Sequence, residues 1–189
     1  MKKSKTRIFI NKTISPNLLI YIKGKQHHFL KNVLRSSIND KINIFDGITG
    51  EWDSKILSIN RDTIILKVIN NINAFVKSND VWLFFAPIKQ YRMNIAIQKA
   101  TELGVSKIIP CITEYTNVKK INIKNLQDNA IEASEQSERQ DIPKIEKEIE
   151  FGKLFLDWPQ DRILIFCDEK EDIKNGIIKT LYPLKSSLK

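Results

Sequence analysis

The sequence predicts two folding units in series: a small basic β barrel of α+β type with one helical insert, then an α/β module. Three observations lead there: an uneven distribution of charge, a change of hydrophobic period near residue 80, and apolar runs that alternate with helical spacing beyond it. The chain has 189 residues and a net charge of +9. Residues 1–80 hold 14 Lys/Arg against 6 Asp/Glu, an excess of eight, whereas residues 81–189 hold 17 against 16. The net charge thus belongs almost wholly to the first unit, as expected of a part that meets a polyanion. Hydrophobic residues make up 42% and charged residues 28% of the chain, a globular composition that excludes a disordered or fibrous protein.

The first unit reads as β. Arg7 to Ile10 is a short strand, Lys41 to Phe45 alternates polar and apolar, and Glu51 to Ile59 and Thr63 to Ile69 are β-branched runs. Asp46-Gly47 and Asn60-Arg61-Asp62 supply the turns between them. One helix interrupts the strands, Gln26 to Leu34, with Phe29, Leu30, Val33 and Leu34 at helical spacing and Val33 and Leu34 expected to pack inward. Asn70 to Asp80 loses all periodicity and reads as the linker, which sets the domain boundaries at residues 1–72 and 80–189.

The pattern then changes. Val81 to Ala86 is a continuous apolar run of the kind found in buried parallel strands. Gln90 to Leu103 is helical, with Met93, Ile97, Ala100 and Leu103 on one face and Gly104 as its C′ residue. Lys107 to Cys111 reads as a second strand and Arg162 to Cys167 as a third. Between them lies a helix, Ile123 to Gln140, with Leu126, Ala130, Ala133 and Ser137 on its small-residue face. Strands alternating with helices predict a parallel sheet.

Several function classes are excluded. Two cysteines, Cys111 and Cys167, and two histidines, His27 and His28, are too few for a Cys/His zinc cage. The longest apolar runs fall far short of the roughly 20 residues of a membrane helix. The basic segment Met1 to Arg7 lacks a following h-region, so the protein is expected in the cytoplasm with reduced cysteines. No G-x-G-x-x-G, Walker lysine loop or G-x-S-x-G elbow occurs.

What remains is a set of polar residues at defined positions. Lys89 and Arg92 follow the Val81 to Ala86 strand, at the carboxyl edge where open α/β sheets place ligands. ASEQSER, Ala133 to Arg139, sets Glu135, Gln136 and Arg139 within about one helical turn. Taken singly, each is more often a solvated helix face than a site, by about three to one.

In fixed order along the chain, HFLKNVLR (His28 to Arg35), IFDG (Ile44 to Gly47), IQKATELGV (Ile97 to Val105), PCITE (Pro110 to Glu114) and SEQSERQDIP (Ser134 to Pro143) resemble the ribosomal RNA small subunit methyltransferase E family. The resemblance runs from about Arg7 to Cys167. It implies a PUA-like RNA-binding barrel followed by a SPOUT-type methyltransferase domain, knotted in the family. The implied activity is S-adenosylmethionine-dependent methylation of N3 of a uridine in 16S ribosomal RNA, with the small ribosomal subunit as partner, a homodimer as the working form and no metal. It also implies roles: His28, Lys31 and Arg35 on RNA phosphates, Glu135 and Gln136 lining the RNA side of the active site, and Glu102 as the acid of the T-E-L-G segment. Arg139, with Lys89 or Arg92, is the implied stabiliser of the uracil anion.

Tyr115 stands where the family commonly has Arg, and Glu138 where Gly is usual. The family's G-P-E-G-G loop and L-G-x-R-I-L-R-x-E-T-A segment, which form the knot and cradle the cofactor, do not occur, and Asp168 to Lys189 is charged instead. The cofactor-binding residues are therefore unknown. The expectation is a monomeric or weakly associated chain without the C-terminal knot and without cofactor binding of its own. The alternative to an enzyme is an RNA-binding remnant or split-gene fragment without catalysis.

Overall fold

The computed structural model describes residues 6–118, 120–156, 158–167, 179, 181 and 182. The chain divides into compact units Met1–Gly152 and Lys153–Lys189. The first contains two hydrophobic cores, one for a β module and one for an α/β part.

The β module is a five-stranded sheet in the order β1-β3-β4-β5-β2: β1 (Arg7–Phe9), β2 (Leu19–Ile22), β3 (Lys41–Phe45), β4 (Glu51–Ile59) and β5 (Ile64–Asn73). β1 runs parallel to β3 and the other pairs are antiparallel. Period-2 burial places Ile8, Ile44, Ile56, Ile64, Leu66 and Val68 in one core, the side-chain alternation that a half-buried strand requires. Irregularities in the β4–β5 pairing at Glu51/Trp52, Asp53/Ser54 and Ile56/Ser58 bend the sheet around that core. β1 and β2 are its two edges.

Two expectations change here. β5 continues through Asn70–Asn73, so the linker begins later than Asn70. The ladder is made by backbone groups, and the exposed asparagines need only stay extended to extend it. The expected helix Gln26 to Leu34 is split into α1 (Gly24–His28) and a π turn, Phe29–Val33. In that turn Leu34 N–H donates to Phe29 O at 2.9 Å, an i→i+5 bond that inserts a residue into the turn. The inserted residue rotates the following side chains off the buried face: Leu30 is fully buried, whereas Val33 is 60% and Leu34 40% exposed. The expected inward packing of Val33 and Leu34 is therefore corrected.

The IFDG segment owes its form to Asp46. Its carboxylate accepts hydrogen bonds from Ile14 N–H (2.8 Å), Ile48 N–H (2.9 Å), Thr49 N–H (2.7 Å) and the Thr49 hydroxyl (2.7 Å). Burial pushes this carboxyl's pKa up, but the bonds to Thr49, Ile14 and Ile48 outweigh it and hold the pKa below its ordinary value of 3.8. A depressed folded-state pKa means that Asp46 contributes stability above the unfolded value and loses it as pH falls through the folded one. Asp46→Asn is expected to cost about 1–3 kcal/mol at neutral pH. The loss should shrink toward pH 3, where the wild type also surrenders this contribution; thermal midpoints of both proteins across that range check it, and a difference that does not change with pH counts against it.

The α/β part has four parallel strands, β6 (Trp82–Phe85), β7 (Lys107–Ile112), β8 (Lys144–Ile145) and β9 (Ile149–Glu150). β7 is central, with β6 on one side and β8 and β9 on the other. Helices α2 (Gln90–Glu102) and α3 (Ile123–Gln136) share a core of Met93, Ile97, Ala100, Ile108, Leu126, Ala130 and Ile145. Among the described residues no helix is long and apolar enough to cross a membrane.

α2 ends in a Schellman arrangement. Val105 N–H donates to Ala100 O and Gly104 N–H to Thr101 O, both at 3.0 Å, with Gly104 at φ +87°, as a left-handed C′ residue requires. Leu103, expected on the buried face, is the C-cap and 85% exposed, because the helical phase ends one residue before it. α3 stops at Gln136, earlier than the expected Gln140, and its buried small residue is Ser134 rather than the exposed Ser137.

The third strand is also corrected. Arg162 to Cys167 carries no strand pairing and Ile163, Leu164, Ile165 and Phe166 are exposed. A β-branched run becomes a strand only where another backbone supplies a ladder, and the short β8 and β9 take the places beside β7. Of the expectation for Asp168 to Lys189, all but Lys179, Leu181 and Tyr182 lies outside the described residues.

Candidate functional site

Lys89 is the N-cap residue of α2 and Arg92 lies in its first turn, directly after β6 at the carboxyl edge of the parallel sheet. Both are exposed, and neither forms an ion pair among the described residues. That first turn contains no acid. Two cations at the positive end of a helix oppose its dipole, an arrangement that an arriving anion would relieve.

On the β module, His28 and Arg35 are exposed. Arg35 closes the π turn in a left-handed conformation, φ +51°, which turns the chain back so that Ser36 N–H reaches Leu30 O at 2.9 Å. Lys31 reaches the carbonyls of Asn60 (2.9 Å) and Arg61 (3.5 Å), tying the π turn to the β4–β5 turn.

Glu102 is turned to its own helix: Lys99 Nζ lies 2.7 Å away, and Gln98 donates at 3.0 Å. The hydrogen bond from Lys99, helped by its charge and by Gln98, holds the carboxyl below the usual range against the opposing effect of desolvation.

Glu135, Gln136 and Arg139 gather where α3 meets the β module. Glu135 accepts from Phe9 N–H at 2.8 Å, and burial, only partly offset by that bond, pushes its pKa up. With exposed Gln136 it lines a cleft of about 470 Å³ whose other wall is Lys23, Lys25, Gln26 and Phe29.

Arg139 is 9% exposed. Its Nε donates to Asp141 Oδ1 at 2.6 Å, Nη2 to Asp141 Oδ2 at 3.3 Å and Nη1 to Thr101 O at 2.9 Å. Asp141 also accepts from the Ser78 hydroxyl at 2.8 Å. Burial alone would push the Asp141 carboxyl up, and the Arg139 and Ser78 bonds bring it below its usual range. Thr101 lies in the last turn of α2, whereas Lys89 caps its start and Arg92 lies in its first turn, so within one chain about 14–18 Å of helix separates the Arg139 contact from that pair. The structure therefore does not bring Arg139 together with Lys89 or Arg92, as the sequence expectation had it.

Glu138, in the position where Gly is usual, is exposed with φ +60°. The preference there is conformational, since the chain must turn left-handed after α3. Sequence reasoning missed Arg7, Asp141, Lys23 and Lys25. A readable signal existed only for Arg139-x-Asp141, opposite charges just beyond a helix end.

Residues 22–69 match the model of an RNA methyltransferase PUA domain and residues 76–187 that of an RNA methyltransferase domain. The ribosomal RNA small subunit methyltransferase E of Rickettsia conorii is 32% identical over 182 residues, which cover 96% of this chain and 74% of that one. The chain belongs to the ribosomal RNA small subunit methyltransferase E family.

The family member of Buchnera aphidicola subsp. Schizaphis graminum is 34% identical over 158 residues, 77% of this chain and 62% of that one. The fold is shared with the solved family member of Neisseria gonorrhoeae, bound to S-adenosylmethionine, at a TM-score of 0.76 and 23% identity over 82% of this chain and 66% of that one. It is also shared with a Legionella pneumophila methyltransferase solved with the same cofactor, at a TM-score of 0.75 and 22% identity over 82% of this chain and 67% of that one.

Among the described residues, the strand ends that would face that cofactor carry no glycine-rich turn. The carboxyl ends of β6, β7 and β8 lead into Ala86-Pro87, Thr113-Glu114 and Glu146-Lys147, and Gly152 alone follows β9. No glycine-rich turn there frees a run of backbone amides for close approach.

Proposed function

We propose that this chain binds 16S ribosomal RNA of the small subunit and serves methylation of N3 of a uridine, the reaction the family resemblance implies. The observation that carries the reading is the exposed Lys89–Arg92 pair at the carboxyl edge of the sheet, in a domain matched as an RNA methyltransferase. The boundaries at 1–72 and 80–189 then separate an RNA-binding module from a catalytic one. His28, Lys31 and Arg35 hold phosphates, which position RNA without reading its sequence. The target base leaves its stack at a cost of roughly a few kcal/mol. Uridine N3 becomes nucleophilic when its proton is lost to solvent water, and the negative charge spreads to the uracil carbonyl oxygens. Lys89 and Arg92 are the candidates to stabilise that charge by fixed, pre-oriented donors. Arg139 supports the site as a clamp between α2, α3 and the linker, and Glu102 as a helix ion-pair partner.

The lack of the family's glycine loop in the sequence and of a glycine-rich turn at the described strand ends favours a second reading, RNA binding without catalysis by this chain alone. One pair of measurements separates the two. The Lys89→Ala/Arg92→Ala variant should weaken binding to a 16S RNA fragment on the order of tenfold and flatten its salt dependence by about two phosphate contacts; unchanged affinity and slope would remove both residues from the RNA surface. Calorimetry with S-adenosylhomocysteine should show no binding, and micromolar binding would favour the enzyme reading for the chain as it stands.

A further inference from the structure

β1 is an edge strand of the β module, and its free edge is covered by side chains of two helices, Glu135 of α3 and Gln26 of α1. Glu135 accepts from Phe9 N–H at 2.8 Å, and Gln26 donates to Phe9 O at 2.9 Å, so two side chains complete the ladder that β1 lacks on that side. In the reverse direction Arg7, on the same strand, reaches the carboxyl end of α3. Its Nη1 donates to Ser134 O (3.1 Å) and Glu135 O (3.4 Å), and its Nη2 to Arg139 O (3.1 Å). A cation at the last carbonyls of a helix has the favourable sign for the dipole. Glu51 Oε1 holds the guanidinium from behind at 3.0 Å, with side-chain exposures of 6% and 8%, and the Phe45 ring lies 4.5 Å from its centre.

Nothing in the phosphate-binding or anion-stabilising roles requires this exchange. It joins the module with most of the positive charge to the helix whose end is clamped by Arg139 onto Thr101, the terminal turn of α2. Lys89 and Arg92 stand at the other end of α2.

We propose that Arg7 and Glu135 are a positioning pair that fixes the β module on the end of α3, so that the β module and the Lys89–Arg92 pair engage one RNA molecule as a rigid body. This rests on the RNA-binding role proposed above. A rigid connection keeps the second contact at high effective concentration once the first is made, whereas a loose one loses that advantage.

The test has two arms, on the full chain and with Arg7→Lys, Glu135→Ala and the acceptor-preserving Glu135→Gln. In the first, hydrogen exchange at the Phe9 amide and at the amides of residues 134–139 should quicken on the order of tenfold in Arg7→Lys and Glu135→Ala. Exchange in β4 should not change, and Glu135→Gln should restore the wild-type rate at Phe9. In the second, Lys89→Ala should weaken RNA binding about threefold in the wild type, half of the free energy lost by the double variant, and leave it essentially unchanged in the Arg7→Lys background.

Unchanged exchange, or an undiminished effect of Lys89→Ala in that background, overturns the proposal; a purely structural role for Arg7 would shift stability without altering the coupling to Lys89. Should Arg7→Lys not fold, Glu135→Ala carries both arms. A wild-type chain that binds no RNA defeats the functional reading, and the joint is then decided by exchange alone.

Discussion

Gly50→Ala is expected to lower the stability of the first unit by about 3–5 kcal/mol, a fall in thermal midpoint on the order of 10 °C for a chain of this size. Two independent costs add. Gly50 has φ +101°, a conformation that strains any L side chain by about 1–3 kcal/mol. A methyl group there would also overlap the carbonyl oxygen of Asn73 and come within 2.7 Å of Phe75 N and 2.9 Å of the Ala74 carbonyl carbon. These are backbone atoms at the end of β5 and the start of the linker, which no rotamer change can move. Displacing them adds an overpacking cost of about 1–3 kcal/mol.

Gly104→Ala is the internal comparison. Gly104 also has positive φ, +87°, but faces open space, so it should show the strain alone and cost about half as much. Equal losses for the two variants would mean that the linker does not seat on Gly50.

Arg139→Met should cost about 3–5 kcal/mol, the usual consequence of removing one partner of a buried ion pair. The substitution strands Asp141 at a partly buried position with Ser78 as its remaining side-chain partner. It also unlinks the C-terminal turn of α2 from the segment after α3. Arg139→Lys should recover only part of the loss, because an ammonium cannot span both Asp141 oxygens and the Thr101 carbonyl as the planar guanidinium does.

The wild type carries an acid-dependent contribution from Asp141. Its folded-state pKa is depressed, so this stability is present above the ordinary carboxylate value and lost as pH falls through the folded one. In Arg139→Met that contribution should shrink, since the Ser78 bonds are then all that opposes burial at Asp141. Denaturant midpoints at pH 7 and pH 3 measure both effects. If Arg139→Met left stability intact while abolishing methylation in a cofactor-loaded family assembly, Arg139 would be an anion stabiliser rather than a clamp.

How much of this was legible in the residues depends on the range of the force that decides each feature. β3 and β4 have the expected bounds, since period-2 alternation between turn residues is a local property. The body of α2 and its glycine stop were equally local, set by 3.6-residue spacing and the need for positive φ at Gly104. The family resemblance rested likewise on short segments in order. Expectations failed where a distant partner chose the outcome. The run Arg162 to Cys167 has the composition of a strand but no ladder, while Lys144–Ile145 and Ile149–Glu150 became strands because β7 offers them its free edge.

For the candidate site the division is sharper. The residue types, the positive excess of the first 80 positions and the position of Lys89 and Arg92 after an apolar strand were fixed by the sequence by itself. Only the tertiary structure decided that Arg139 is spent on Asp141 and Thr101. Likewise Glu135 completes the edge of β1, and Arg7, which reads as one more basic residue near the N-terminus, is buried against Glu51 and the end of α3. The reason is geometric. An ionic side chain goes into a protein interior only where donors and acceptors from separate segments converge to replace its water, and that convergence, across more than 120 residues between Arg7 and the end of α3, exists in no local stretch of the chain.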